Sequence, residues 1–155
     1  MTATVRTTHR PESTLSPTLD RQARTFLRIE GAAVLAAATV AYATLGGNLL
    51  WYLPALLLPD LSAAGYLGGP RLGALTYNAV HNWALGLAVL GTGVYFAIPG
   101  VVLAGVVLIA HIGMDRFAGY GLKLMTSFND TTLGRKGKTR DNASDTTAPV
   151  ISVSA

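Results

Sequence analysis

The feature that constrains this chain most is a stretch of eighty residues, 31–110, that contains only two charged side chains, Asp60 and Arg71. A soluble domain covers its surface with polar groups, and about a quarter of its residues are charged. Charged residues make up only 13% of this chain, and most of them lie on either side of the stretch. The charge distribution therefore excludes the soluble globular class and predicts a membrane protein. The absence of cysteine also excludes a disulfide scaffold.

Four segments are long enough to cross a bilayer. A membrane helix needs about 20 mostly apolar residues, and segments of this kind cover residues 26–45, 49–67, 72–96 and 97–118. The connections between them are short, so consecutive helices should be antiparallel neighbours. The predicted fold class is all-α: a four-helix transmembrane bundle with up-down topology.

Basic residues beside the predicted spans set the orientation. Arg21, Arg24 and Arg28 precede the first span, and Arg71 lies in the second connection. More basic residues follow the fourth span: Arg116, Lys123, Arg135, Lys136, Lys138 and Arg140. The first and third connections carry no charge, so the positive-inside rule places both termini and the turn at Arg71 in the cytoplasm.

The chain divides into one membrane domain and two tails. Residues 1–24 and 135–155 are rich in small polar and charged groups, and we expect both to be disordered cytoplasmic tails. Residues 25–134 should form the four-span domain, whose last part, 119–134, is an interfacial segment. The A-x-A pattern at 41–43 also fits a cleaved signal peptide, but Glu30 lies inside the apolar run and the preceding polar region is long. We therefore expect the first span to be retained.

Several ionisable residues fall inside the predicted spans, where such groups are costly and often functional. They are Glu30, Asp60, His81, His111 and Asp115, accompanied by the amides Asn78 and Asn82. At a helical rise of about 1.5 Å per residue, all five ionisable groups lie about 5 to 13 Å from the cytoplasmic end of their spans. This common depth predicts a shared polar cavity that faces the cytoplasm.

The spacing of these residues favours a metal site. His111 and Asp115 are four residues apart and share a face of the fourth helix, and Asn78, His81 and Asn82 share a face of the third. Imidazole and carboxylate groups suit Zn, Mn or Fe, and the predicted ligands are His81, His111, Asp115 and Asp60. Asp60 or Glu30 is the candidate general base. The alternative of equal weight is that these groups only join helices by hydrogen bonds.

Two further features bear on the cavity. Pro59 removes a backbone donor just before Asp60, which should free the carbonyl of Ala55 and bend the second span. The candidate substrate-binding residues are Arg71, Asn78, Tyr120 and Lys123, in which the two cations could hold a phosphate or carboxylate. The alternative for the basic segment after the fourth span is that it only orients the helix.

Two strings carry a family resemblance. They are PDLSAAGYLGGPRLGALTYNAVH (59–81) and AHIGMDRFAGYGLKLMTSFNDTTLG (110–134). Over about residues 25–135 the chain resembles domain of unknown function 4260, a family of small bacterial integral membrane proteins. The resemblance implies a multi-pass protein of the bacterial cytoplasmic membrane and no established activity. It extends to Asp60, Tyr66, Arg71, Tyr77, Asn78, His81, His111, Asp115, Arg116, Gly119, Tyr120, Lys123, Asp130 and Leu133. The family pattern has a histidine where this chain has Thr132, which weakens an enzymatic interpretation.

The sequence leaves two functional hypotheses open. The first is a small multi-pass membrane protein of unknown biochemical role, with a buried Asp/His/Asn cluster near the cytoplasmic face. The alternative is a metal-dependent membrane hydrolase or lipid-modifying enzyme that acts on an anionic lipid-like substrate. The expected partners are the bilayer and anionic lipid head groups, and no nucleic-acid motif is present. The sequence decides neither whether the chain is an enzyme nor its oligomeric state.

Overall fold

A computed structural model describes residues 17–136, with side chains from residue 21 onward. It contains five α-helices, α1 (Pro17–Thr44), α2 (Leu49–Leu57), α3 (Pro70–Val80), α4 (Trp83–Tyr95) and α5 (Pro99–Ala118). A 3₁₀ helix, Leu58–Gly68, joins α2 to α3, and a short hairpin is formed by β1 (Asp130–Thr131) and β2 (Gly134–Arg135). The prediction of a helical fold is confirmed.

Helix α5 is the centre of the packing. It packs along α1 and α4, while α3 packs on the 3₁₀ helix and α2 contacts both α5 and the 3₁₀ helix. The apolar core joins α1, α2 and α5 through Ala38, Tyr42, Tyr52, Leu56, Val106, Val107 and Ala110. Glycines allow the backbones to approach closely, as membrane helices often do: a Cβ added to Gly31 would lie 2.5 Å from the backbone N of Phe117.

The second predicted span changes its helix type at Pro59. The N–H of Leu58 bonds to the carbonyl of Ala55, so the carbonyl expected to be free is used. In a 3₁₀ helix, the N–H of residue i+3 bonds to the carbonyl of residue i. The carbonyl of Leu56 would therefore need the N–H of residue 59, and Pro59 has no N–H. The helix type thus changes next to Pro59, and the carbonyl that proline leaves without this donor belongs to Leu56 instead of Ala55.

The third predicted span is not one helix, which corrects the prediction for residues 72–96. Helix α3 ends at Val80, His81 follows with φ −95° and ψ 37°, and α4 begins at Trp83. Asn82 is extended, and its Oδ1 accepts from the N–H of Leu85, 2.9 Å away. Asparagine competes for backbone donors in this way and favours a helix start over a helix interior. The continuous apolar pattern hid this break.

The segment after α5 folds back onto the helices. Helix α5 ends at Ala118 and is followed by Gly119, whose φ of +81° suits glycine. The hairpin pairs Asp130 with Arg135, and Lys123 forms an isolated bridge with Thr131. The predicted interfacial segment 119–134 therefore contains a small antiparallel pair. Helix α1 begins at Pro17, inside the predicted first tail, and both 1–16 and 137–155 lie outside the described residues.

Two helices in the described part of the chain are long and apolar enough to cross a membrane. They cover Arg21–Thr44 and Pro99–Ala118. Helices α2, α3 and α4 have 9, 11 and 13 residues, each too short to span a bilayer alone. By length and composition the structure thus gives two candidate spans, and the four-span topology stays a prediction.

Candidate metal centre

Two buried histidines meet in the interior, and a backbone carbonyl fixes one nitrogen of each ring. His81 follows α3, and its Nδ1 lies 2.8 Å from the carbonyl oxygen of Tyr77. His111 lies on α5, and its Nδ1 lies 2.6 Å from the carbonyl oxygen of Leu56. A carbonyl oxygen can only accept a hydrogen bond, so Nδ1 carries the hydrogen in both rings. In the neutral rings, both Nε2 atoms therefore present lone pairs.

These two Nε2 atoms face each other and a carboxylate. The Nε2 atoms of His81 and His111 are 2.8 Å apart. Oδ1 of Asp60, at the start of the 3₁₀ helix, lies 3.5 Å from Nε2 of His81 and 3.6 Å from Nε2 of His111. Two neutral acceptors and an anion cannot satisfy one another without a positive charge among them. Asp60, His81 and His111 form the group of described residues that has metal-ligand spacing.

Asp115 lies beside this group. Its Oδ2 accepts a hydrogen bond from the Tyr77 hydroxyl and is 3.8 Å from Nε2 of His81. The Tyr77 ring stacks on the His81 ring, with centroids 3.6 Å apart and planes 9° apart. Tyr77 thus orients both the Asp115 carboxylate and the His81 ring. Of the four predicted ligands, three converge on one point and the fourth lies next to it.

A pocket of about 440 Å³ opens on this cluster. Asp60, Tyr77 and Asp115 line its polar side, and Met114, Ala63, Ala118, Tyr120, Lys123 and Phe128 complete the wall. Since the side chain of Asp60 is 49% exposed while His81 is 3% exposed, the group is accessible from the side of Asp60. The residues that line the pocket come from α3, α5, the 3₁₀ helix and the segment after α5.

Lys123 is a buried cation at the pocket wall. Its Nζ donates to the carbonyl of Phe128 at 2.8 Å and lies 3.9 Å from the centre of that ring. The rings of Tyr77 and Tyr120 are at 5.0 and 5.3 Å from Nζ, which completes an aromatic cage. Burial lowers the pKa of Lys123, and the carboxylates of Asp115 and Asp60 act in the opposite direction.

The two predicted amide companions serve the backbone. Asn78 Nδ2 donates to the carbonyl of Lys123 at 2.9 Å, and Asn78 Oδ1 accepts from the N–H of Lys123 at 2.7 Å. Asn82 caps α4 and donates to the carbonyls of Asn78 and Ala79. Asn78 therefore fixes the position of Lys123, and it is not among the residues that line the pocket.

Three predicted positions lie away from the cluster. Glu30 is exposed on α1 and Arg71 is exposed at the start of α3, and neither lines the pocket. Thr132, at the departure from the family pattern, accepts a hydrogen bond from the N–H of Leu122 at 3.0 Å and does not line the pocket either. The candidate general base Glu30 and the candidate cation Arg71 are therefore not brought to the histidines.

Sequence reasoning missed the chemical role of Tyr77 and of the Leu56 carbonyl. Tyr77 is four residues before His81, a spacing that places both on one helix face, so this contact had a readable signal. The bond from His111 Nδ1 to Leu56 had none, because it joins residues 55 positions apart through a backbone atom. Phe128 in the cage was also beyond prediction, since it depends on the fold of the segment after α5.

The family model described as Domain of unknown function (DUF4260) matches residues 24–136. The chain belongs to the DUF4260 family. Each residue of the metal centre and its pocket lies inside the matched region. The chain matches no curated protein and no solved structure.

Proposed function

We propose that this DUF4260 protein is a multi-pass membrane protein that binds a divalent transition metal in its polar interior. The exposed apolar surface supports the membrane part of the proposal. Large apolar side chains point outward on several helices, among them Leu50 (77% exposed), Leu67 (94%) and Tyr95 (82%). Water would penalise such a surface, whereas lipid tails solvate it.

The interrupted helices support a four-span arrangement. Helix α2 with the 3₁₀ helix covers 49–68, and α3 with α4 covers 70–95, so each pair has the length of one span. Irregular backbone is tolerated at membrane depth where protein surrounds it, and such breaks often hold ions. Asp60 and His81 lie at the two breaks. Under the positive-inside rule, the turn at Arg71 and both termini are cytoplasmic.

The metal part of the proposal rests on one observation: two Nε2 lone pairs lie 2.8 Å apart, with a carboxylate oxygen 3.5 and 3.6 Å away. A point about 1.9 Å from all three atoms lies at the centre of the triangle that they define. Zinc forms bonds of about 2.0 to 2.2 Å to such donors, so Asp60, His81 and His111 could hold a zinc ion after small side-chain adjustments.

The ligand set favours zinc among the expected metals. Two imidazoles and one carboxylate match the donor set of catalytic zinc sites, and Mn or Fe would accept the same donors with additional waters. Three protein ligands leave a position open, and the pocket beside Asp60 and Asp115 gives it access. Both Nδ1 atoms donate to backbone carbonyls, which holds the two rings in the tautomer that can bind a metal through Nε2.

Metal content tests this proposal. The full chain, purified in detergent without a metal-affinity tag and loaded with Zn²⁺, should retain about one ion per chain after desalting. His111→Ala and His81→Ala should each abolish retention. His9→Ala is the matched control, because His9 is the remaining histidine of the chain and precedes the described residues.

The contradicting result is equally specific. Folded wild-type protein that retains no zinc, manganese or iron would mean that a proton shared by the two Nε2 atoms satisfies them. Retention that is unchanged in His111→Ala would mean that the metal binds elsewhere. Circular dichroism and a monodisperse elution profile establish that each variant remains folded.

The open position and Asp115 favour hydrolysis as a second candidate function. A metal with an open position binds water and lowers its pKa toward 7. Asp115 lies 3.8 Å from His81 Nε2 and lines the pocket, where it can accept a proton from such a water. Lys123 in the same pocket can balance negative charge that develops on an ester or phosphate. The apolar part of the wall fits a lipid-like substrate.

The variant Asp115→Asn separates hydrolysis from metal binding. It should keep the zinc but lower turnover of a fluorogenic acyl or phosphate ester by about 10² to 10⁴. Glu30→Gln, a carboxylate on α1 outside the pocket, is the matched control and should keep the wild-type rate. Turnover that persists in Asp115→Asn would remove this carboxylate from the mechanism.

A further inference from the structure

A second pocket, separate from the metal centre, lies where α1, the end of α5 and the hairpin meet. It has a volume of about 200 Å³ and shares no lining residue with the pocket at Asp60. Its wall contains Arg24 and Arg28 of α1, Gly119 after α5, and Gly134, Arg135 and Lys136 of the hairpin segment. We infer that this basic pocket binds a phosphate group.

Among the residues that the structure describes, the wall contains four cations and no carboxylate, and Asp130 outside the wall pairs with Arg135. Three different parts of the fold supply it, so the clustering does not follow from a local run of basic sequence. Like charges that share a small space repel one another, and they raise the free energy of the folded chain. A bound anion removes this cost, and it gains charge-assisted hydrogen bonds at the same time.

Backbone carbonyls hold two of the cations in place, Arg28 and Lys136. Arg28 Nε donates to the carbonyl of Phe117 at 2.9 Å, and Lys136 Nζ donates to the carbonyl of Ala118 at 2.6 Å. In the part of the chain that the structure describes, no acceptor faces the two terminal nitrogens of Arg28. The Nε of Arg135 is 3.5 Å from Oδ1 of Asp130, so an ion pair within the hairpin orients this guanidinium.

The same bonds remove an obstacle to anion binding. The last carbonyls of a helix carry partial negative charge, which would repel an anion at the end of α5. Here the Phe117 and Ala118 carbonyls each accept from a cation of the pocket. The pocket therefore presents positive charge even though it lies at the C-terminus of a helix.

Two glycines give the cations room. A Cβ built on Gly134 would lie 2.5 Å from Nη1 of Arg24, and one on Gly119 would lie 3.1 Å from Nζ of Lys136. Both glycines have positive φ, +114° and +81°, so the turns themselves also favour glycine. Larger residues at these positions would displace the guanidinium and the ammonium from the wall.

The chemistry of the wall selects a phosphate. Arginine presents planar pairs of N–H donors that fit two oxygens of a phosphate at once, and lysine adds a point charge. Arg135 is 60% exposed, so an anion can enter from solvent or from the membrane surface. If α1 and α5 span the bilayer, the pocket lies at the cytoplasmic head-group level, where lipid phosphates are concentrated. This inference does not depend on the metal.

Binding to the intact protein in detergent tests the inference, with three probes. Native mass spectrometry measures retention of dioleoyl phosphatidic acid and of dioleoyl phosphatidylglycerol, and a thermal-shift titration measures inorganic phosphate. At least one probe should bind saturably at one site. Arg135→Gln should weaken that binding at least about tenfold, the loss typical of one charge-assisted contact. Arg28→Gln with Arg135→Gln should weaken it further.

Arg21→Gln is the matched control. Arg21 lies on α1 one turn before the pocket, is exposed, and does not line the wall. It should bind each probe within twofold of wild type. Since Arg135→Gln keeps the bond from Arg28 to Phe117, it tests the pocket even if the double variant unfolds.

The outcomes distinguish the sources of the phosphate and the failure of the inference. Binding of the lipids alone identifies a head-group site, whereas binding of inorganic phosphate with the same sensitivity to Arg135→Gln identifies a site for a free phosphate. The inference is overturned if no probe binds saturably, or if Arg21→Gln weakens binding as much as Arg135→Gln does. Metal retention in the Arg135→Gln protein is measured in parallel, which keeps this result separate from the metal proposal.

Discussion

Helix α5 and the pair α3 and α4 are apolar segments of similar length, but only the pair is interrupted. Helix α5 runs unbroken for 20 residues and carries His111 on its buried face. The pair α3 and α4 breaks at His81 and Asn82, and the break turns the His81 ring toward His111. The unbroken helix supplies the His111 imidazole and a packing surface, whereas the interruptions supply Asp60 and His81 together with the access to them.

Removing the proposed metal should have the largest effect on the stability of the interrupted helices. A ligand present at 1,000 times its dissociation constant stabilises the folded state by about 4 kcal/mol. If the interruptions are held together by the ion, a chelator should lower the melting temperature of wild type. His111→Ala should melt at a low temperature with or without chelator. A wild-type protein that melts at the same temperature in both conditions contradicts this prediction.

One added methyl group should disrupt the packing of α5 against α4. A Cβ on Gly105 would lie 2.5 Å from the backbone N of Leu90, whereas Gly100 on the same helix has open space around it. Gly105→Ala should therefore cost about 1 to 3 kcal/mol in thermal unfolding. Gly100→Ala should leave stability unchanged or raise it by up to about 1 kcal/mol. Equal effects of the two substitutions would mean that α4 does not pack against α5 as described.

The interruption at Pro59 should matter for metal affinity more than for folding. Pro59→Ala restores an N–H that competes with His111 Nδ1 for the Leu56 carbonyl. Loss of a hydrogen bond that orients a metal-binding histidine typically lowers metal affinity by about 10- to 100-fold. Pro54→Ala, within α2, is the matched control and should retain wild-type zinc affinity. Competition titration with a chromophoric chelator measures both, and equal affinities would contradict the role of Pro59.

The effect of Asn82 on the position of His81 can be separated from its effect on helix stability. Asn82 caps α4 and Asn48 caps α2, each by accepting a backbone N–H at 2.9 Å. Replacing either with alanine should cost about 1 kcal/mol in stability. Only Asn82→Ala should also weaken zinc binding, because it changes the backbone next to His81. Identical zinc affinity in the two variants would show that the cap does not position the ligand.

The smallest expected effect is a change in the stability of the hairpin with pH. A hydrogen bond from Thr126 and the charge of Arg135 lower the pKa of Asp130. A lowered pKa in the folded state contributes stability that is present at neutral pH and lost as the pH falls below about 4. The protection factors of the amides in 130–135 should therefore fall in acid, relative to those at the centre of α5. Thr126→Val should reduce this pH dependence, and an unchanged profile would contradict it.

How far the sequence predicted the site can be seen residue by residue. The depth argument brought Asp60, His81, His111 and Asp115 to one layer, and the structure places them together. It also included Glu30, which is exposed on α1. Depth along a helix can be read from the sequence, but the side of the helix that faces the interior depends on its neighbours.

The breaks and the hairpin were harder to predict for physical reasons. At 81–82 the apolar pattern continues and neither glycine nor proline is present, so only the capping preference of Asn82 signalled a helix start. The basic pocket depends on the hairpin, which brings Arg135 and Lys136 next to Arg28 although they are distant in sequence. Such contacts are set by tertiary packing, which local periodicity does not encode.

The central claim is that Asp60, His81 and His111 are ligands of one metal ion, and X-ray absorption at the zinc edge tests it most directly. The zinc-loaded protein should show about four nitrogen or oxygen neighbours at about 2.0 Å, with the outer-shell scattering of two imidazoles. The His81→Ala protein, which should retain no zinc, should show no zinc edge above background. A spectrum without imidazole scattering, or folded protein that binds no metal, would contradict the claim.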